Sequence, residues 1–114
     1  SHAKGTAVDV TLVPLAPTPV PTAAPEAGTC IAAAADREAD DSVDMGTGYD
    51  CFDTLSHTAN PAIKPAQARM RRILVQAMSA HGFKNFNREW WHFTFAKVSG
   101  ATPSLDFEVT AAPQ

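Results

Sequence analysis

The sequence predicts a single α+β domain in which a small antiparallel sheet is packed by one main helix. Three observations carry this. Residues 65–81 place Met70, Ile73, Leu74, Ala77 and Met78 at i, i+3, i+4, i+7 and i+8, one apolar stripe of a helix. "GTAVDVTLV" (5–13) and "WWHFTFAKV" (90–98) are rich in β-branched and aromatic residues and alternate with period two. The chain has 114 residues, enough for one domain with one modest core.

In the first strand Val8, Val10 and Leu12 alternate with Asp9 and Thr11, which sets Asp9 on the face opposite the valines. The next segment, "PLAPTPVPTAAPEAGTC", holds five of the nine prolines, which excludes a central strand or a helix interior. Residues 14–44 as a whole read as a surface insertion with at most a short helical turn in its alanines. Its acidic run lacks the alternating oxygen ligands and glycine of a calcium loop, so it reads as solvated. "MGTGYDCFD" (45–53) reads as a loop that leads into a short element at "FDTLSH", and "TANPAIKP" as another loop. The main helix begins at Pro65, a residue suited to a first turn, and stops at Gly82, with Phe83 folding back on the last turn. Lys64, Arg69, Arg71 and Arg72 fall off the stripe or at its edge and read as a solvated basic face. At the other end, "WWHFTFAKV" and "SLDFEVT" (104–110) form an antiparallel hairpin, with His92, Thr94 and Ala96 on one face and Trp91, Phe93 and Phe95 on the other.

Apolar residues make up 45% and charged residues 18% of the chain, the composition of a globular domain. A net charge of −3 gives no electrostatic case for nucleic acid or an anionic membrane, and no apolar run nears the roughly 20 residues of a membrane span. Cys30 and Cys51 are not spaced as a zinc knuckle or a redox pair. Either they form a disulfide, which implies an oxidising compartment, or they are two buried thiols.

The chemistry-bearing residues lie at the two ends. "NREWWHF" (87–93) sets Glu89 and His92 around two tryptophans. On a regular strand these side chains would face apart, so a bend near Trp90 is needed to bring both to one site. His2 and Asp9 would lie roughly 23 Å apart on a straight strand and can meet only if the chain reverses, which Gly5 permits. Two imidazoles (His2, His92) and a carboxylate (Asp9) make a natural shell for one catalytic zinc ion, with the fourth position left to water. Glu89 then serves as the general base, and the tryptophans as an apolar wall that raises a carboxylate's pKa.

"HAKGTAVD" fits the pattern H-x-x-G-x-A-x-D and "EWWH" the pattern E-x-W-H. In these segments the chain resembles the zinc D,D-peptidases, the family of the VanX-type D-alanyl-D-alanine dipeptidases and the VanY-type carboxypeptidases, which share a hedgehog-like fold. "MGTGYDCFDTLSH" and "RRILVQAMSAHGFKNFNREWWHF" are similar to the dipeptidase branch, whereas the carboxypeptidases typically carry proline where this chain has Trp90. The resemblance implies hydrolysis of the D-alanyl-D-alanine dipeptide. His2, Asp9 and His92 would hold zinc, Glu89 would activate water and protonate the leaving amine, and Asp50 would hold the dipeptide's free ammonium. His57 is given a supporting role and no metal.

The chain opens without Met, inside a motif, and is expected to be the C-terminal portion of such a domain. An arginine that stabilises the oxyanion and a serine of the amine site belong to the family's upstream half, so an upstream segment is expected as the partner completing the site. The alternatives are a D,D- or L,D-carboxypeptidase acting on peptidoglycan stems, and a zinc-binding fragment without catalysis. The family works in both cytosol and periplasm; a Cys30–Cys51 bridge would favour the periplasm.

Overall fold

The computed structural model describes residues 5–16, 29–38 and 40–95. Three short strands form an antiparallel sheet: β1 (Ala7–Asp9), β2 (Phe83–Asn85) and β3 (His92–Phe95), in the order β1-β3-β2. One helix, α1 (Pro65–Ala80), packs against β2. The chain is α+β, as its periodicities imply.

The central strand fixes every register. Ala7, Val8 and Asp9 stand opposite Thr94, Phe93 and His92, while Phe83, Lys84 and Asn85 stand opposite Phe95, Thr94 and Phe93. Paired residues share a face, so Asp9 and His92 point to one side and Val8 and Phe93 to the other, as the alternation requires. Regular pairing ends at Asp9, although the Val10 N–H still donates to the Trp91 carbonyl at 2.9 Å. Gly5 takes φ +68, a left-handed conformation, just before β1. The proposed hairpin partner at 104–110 lies outside the described residues; inside them the partners of β3 are β1 and β2. Strand β2 escaped the sequence reading because three residues are too few to show a period.

The helix begins as expected. Lys64 precedes it in extended conformation and donates its backbone N–H to Gln67 Oε1 at 2.8 Å. This is one half of a capping box, since a lysine side chain has no acceptor for the other. At the far end Gly82 takes φ +88, a left-handed stop, and Phe83 continues into β2. The buried stripe is rotated from the expected one. Leu74 is buried, Met70, Val75 and Met78 pack on the core, but Ile73 is 39% exposed and Arg71 only 1% exposed. Arg71 therefore does not belong to the solvated basic face. Its guanidinium is buried because three backbone carbonyls receive it: Nε donates to Met45 O at 2.7 Å, Nη1 to His57 O at 2.8 Å and Nη2 to Leu55 O at 3.0 Å. Burial pushes its pKa down to about 10, still above neutrality, and the Asp44 charge works against that shift.

The core itself is formed by Trp90, Trp91, Phe93, Met45, Cys51 and Leu74. The loop at 45–56 enters it through hydroxyl chemistry. Trp90 Nε1 donates to Thr47 Oγ1 at 2.9 Å, Thr47 and Ser56 hydroxyls lie 3.0 Å apart, and Ser56 donates to the Cys51 carbonyl at 2.6 Å. The short element expected at "FDTLSH" is a 3-10 turn, Thr54–Ser56, capped by Asp53 through the Leu55 N–H. Gly46, at φ +97, lies where any Cβ would crowd Ile63 Cγ2 at 3.0 Å and Arg71 Nη2 at 3.1 Å. Glycine is what allows the loop to lie on the arginine.

The two ends of residues 14–44 meet. The Val43 N–H donates to Leu12 O at 2.9 Å and the Ser42 hydroxyl to Thr11 Oγ1 at 3.0 Å, so the chain leaves and returns at one place. A 3-10 turn, Ala34–Asp36, is its one helical element among the described residues. Cys30 and Cys51 are joined as a disulfide. Asp44 closes the insertion. Burial alone would raise its pKa, but hydrogen bonds from Gln67 and the Gly46 N–H, with Arg37 at 3.0 Å, outweigh this and hold it below the ordinary value.

Candidate active site

Asp9 ends β1 and His92 begins β3, and the antiparallel register sets them directly opposite. Their side chains meet, with His92 Nδ1 3.2 Å from Asp9 Oδ1. Glu89 joins them from the turn before β3: its Oε1 lies 3.7 Å from the same Nδ1. All three side chains are half-buried, none more than 25% exposed.

The turn explains how Glu89 and His92 reach one side. Glu89 N–H donates to Phe86 O at 3.0 Å, and His92 N–H donates to Glu89 O at 3.2 Å. The strand starts only at His92, so the alternation that would separate the two never applies. This is the bend near Trp90 that the sequence demanded. Asn85, which sequence reasoning missed, holds the turn in place. Its Nδ2 reaches the carbonyls of Glu89 at 3.0 Å and His92 at 3.1 Å, while its Oδ1 accepts from the Thr58 hydroxyl. Trp90 N–H donates to Ser56 O at 3.2 Å, tying the turn to the loop at 45–56. The only signal for Asn85 was an amide at a strand end beside a turn.

The surroundings are aromatic. The Phe86 ring stands edge-on to the His92 imidazole at 5.7 Å, and Trp90 and Trp91 pack at right angles to each other. Tyr49 lies against both tryptophans at 6.4 and 5.8 Å. Burial raises its phenol pKa, and the negative charges of Asp9 and Asp50 raise it further. Asp50 is exposed and takes φ +63, a strained left-handed conformation for a residue with a side chain. Its charge thus reaches the phenol that Asp9 also reaches. His57 gives its carbonyl to Arg71 and its residue to the wall of a cleft beside Glu89.

Asp9, Glu89 and His92 are therefore brought together, and Asp50 sits one residue beyond the tyrosine that borders them. His2 lies outside the described residues. Among the described residues no group of three His, Cys, Asp or Glu side chains is arranged to hold a metal ion.

A carboxylate, an imidazole and a second carboxylate on an aromatic wall suit a peptidase, and the comparisons with known proteins agree on that class. The sequence model of the family described as D-ala-D-ala dipeptidase matches residues 18–110. The chain belongs to this D-alanyl-D-alanine dipeptidase family. It is 31% identical over 99 residues to the D-alanyl-D-alanine dipeptidase of Escherichia coli, covering 87% of this chain and 39% of that protein. Against the D-alanyl-D-alanine dipeptidase of Enterococcus faecium the identity is 28% over 109 residues, 96% of this chain and 43% of the relative. The enzyme of the same name from Streptomyces coelicolor is 35% identical over 65 residues, 57% of this chain and 32% of the relative. The chain thus spans between 32% and 43% of the length of these curated relatives.

Proposed function

We propose that this chain carries the metal-binding and proton-transfer part of a zinc peptidase site that hydrolyses the D-alanyl-D-alanine dipeptide. The observation that carries the reading is the Asp9–His92 register pair with Glu89 turned in beside it. Two ligands about 2.0–2.1 Å from a tetrahedral zinc ion lie about 3.3 Å apart. The 3.2 Å between His92 Nδ1 and Asp9 Oδ1 fits that donor set, and a carboxylate with an imidazole is chemistry zinc accepts. His2 is proposed as the third ligand. Bound zinc supplies a polarised carbonyl and a water whose pKa falls to about 7.

The remaining work falls to the chain's own groups. Glu89, whose Oε1 lies 3.7 Å from His92 Nδ1, is close enough to this site to take the proton of the attacking water. The water oxygen bonds to the peptide carbon, the C–N bond breaks, and Glu89 delivers its proton to the departing amine. Asp50 holds the free ammonium as a charge-assisted partner, which limits the substrate to a dipeptide. Trp90 and Trp91 exclude water behind the base. An upstream segment of the protein completes the site, and the Cys30–Cys51 bridge suits a periplasmic location.

The test is D-alanine release from D-alanyl-D-alanine by the zinc-loaded protein, with metal content measured alongside. Glu89→Gln should retain one zinc and lose turnover by about 10²- to 10⁴-fold, the usual worth of a positioned base. Stoichiometric zinc with no turnover by the native protein would leave a metal-binding role without catalysis. Turnover of longer stem peptides in preference to the dipeptide would instead support the carboxypeptidase reading.

A further inference from the structure

A dipeptide has two charged ends, and the reading above accounts for only one. The ammonium goes to Asp50; the carboxylate of the departing residue has no assigned partner. A dipeptidase that desolvates this carboxylate in a half-buried site needs a cation or a set of donors for it.

Among the described residues, a place beside the base is suited to it. A cleft of about 350 Å³ opens beside Glu89, lined by Phe52, Asp53, His57, Phe86 and Arg88 among others. Its volume is at the lower end of the roughly 300–1,000 Å³ of small-ligand sites. It adjoins the candidate metal centre through two of its walls: the Phe86 ring touches the His92 imidazole at 5.7 Å, and Glu89 Oε1 is 3.7 Å from His92 Nδ1. Phe52 is 83% exposed and Phe86 44% exposed, so two aromatic rings stand at its mouth without burial of their own. Asp53, the one other carboxylate in the wall besides Glu89, is engaged as the cap of the 3-10 turn, accepting the Leu55 N–H at 2.8 Å. Arg88 immediately precedes the base, is exposed, and makes no hydrogen bond or ion pair among the described residues. A guanidinium with all its donors open is suited to grip a carboxylate with two parallel bonds.

We infer that this cleft receives the departing residue of the dipeptide, with Arg88 binding its carboxylate and Phe52 and Phe86 flanking its methyl group. His57 also lines this cleft. The assignment rests on the dipeptidase reading and adds to it a residue that sets specificity for a free C-terminal carboxylate. Because Arg88 and Glu89 are adjacent, the carboxylate grip and the base are delivered by one turn.

The experiment compares D-alanyl-D-alanine with D-alanyl-D-alaninamide, which lacks only the carboxylate charge. Binding by calorimetry and turnover are measured for the zinc-loaded native protein, Arg88→Ala and Arg88→Lys, with zinc content recorded for each. The native protein should favour the free acid by about tenfold to a hundredfold, with the difference in KM and little in kcat. In Arg88→Ala the KM for the free acid should rise to that for the amide, and Arg88→Lys should recover part of the preference. An equal response of the native protein to acid and amide overturns the inference and leaves the dipeptidase reading standing. A preference for the acid that survives in Arg88→Ala does the same. Failure to bind or cleave either compound at full zinc content, with the upstream segment present, sinks both.

Discussion

Arg71, in α1, and Arg88, in the turn before β3, have opposite fates. Arg71 is 1% exposed, and its donors are spent on the carbonyls of Met45, Leu55 and His57. Arg88 is exposed on a turn, beside a cleft, with donors unused among the described residues. The same side chain is structural where the backbone saturates it and available to a ligand where it does not. In this chain, satisfaction and not charge separates the scaffold from the candidate site.

The strongest way to break that comparison is at Arg71. Arg71→Met roughly keeps the volume but strands three carbonyls, one buried and two partly buried, and should cost about 3 kcal/mol in urea unfolding. Arg88→Ala should change stability by less than about 0.5 kcal/mol, as surface substitutions do. If the two variants unfold alike, the loop at 45–57 does not depend on the buried guanidinium. Next in size is the covalent tie. Removing the Cys30–Cys51 bridge, by reduction or by replacing both cysteines with serine, should cost about 3 kcal/mol for a loop of this length. A thermal scan with and without reductant measures it, and an unchanged midpoint would mean the insertion is already fixed by its hydrogen bonds. The smallest effect is electrostatic. Asp44 has a folded-state pKa below its ordinary value of 3.8, so its contribution is present above that pH and is lost as pH falls through the depressed value. Native protein should therefore lose stability on acidification below about pH 4 more steeply than Asp44→Asn. Parallel pH profiles would show that Arg37, Gln67 and Gly46 do not hold that carboxylate.

Much of this was legible in the sequence because it depends on local pattern. Pro65 and Gly82 delimit the helix, and the valine alternation puts Asp9 on the face it occupies. The grouping of Glu89 with His92 followed from a motif, and the need for a bend at Trp90 followed from strand geometry alone. What stayed hidden depends on distant backbone. Nothing near Arg71 announces that carbonyls from residues 45, 55 and 57 will surround it, so a charged residue beside an apolar stripe reads as solvated. Asn85 holds the turn before β3 through carbonyls that converge only once the turn has formed. Strand β2 is a product of pairing with β3 and is too short to declare itself.

The meeting of Leu12 with Val43 has a consequence for how this protein can vary. A segment whose two ends touch is an appendage: lengthening or trimming it leaves the trunk in register. Here the appendage is also moored, since Cys30 within it is bolted to Cys51, the neighbour of Asp50. A change of length between Cys30 and Val43 is therefore expected to be felt at Cys51, and through it at the loop that carries Tyr49 and Asp50.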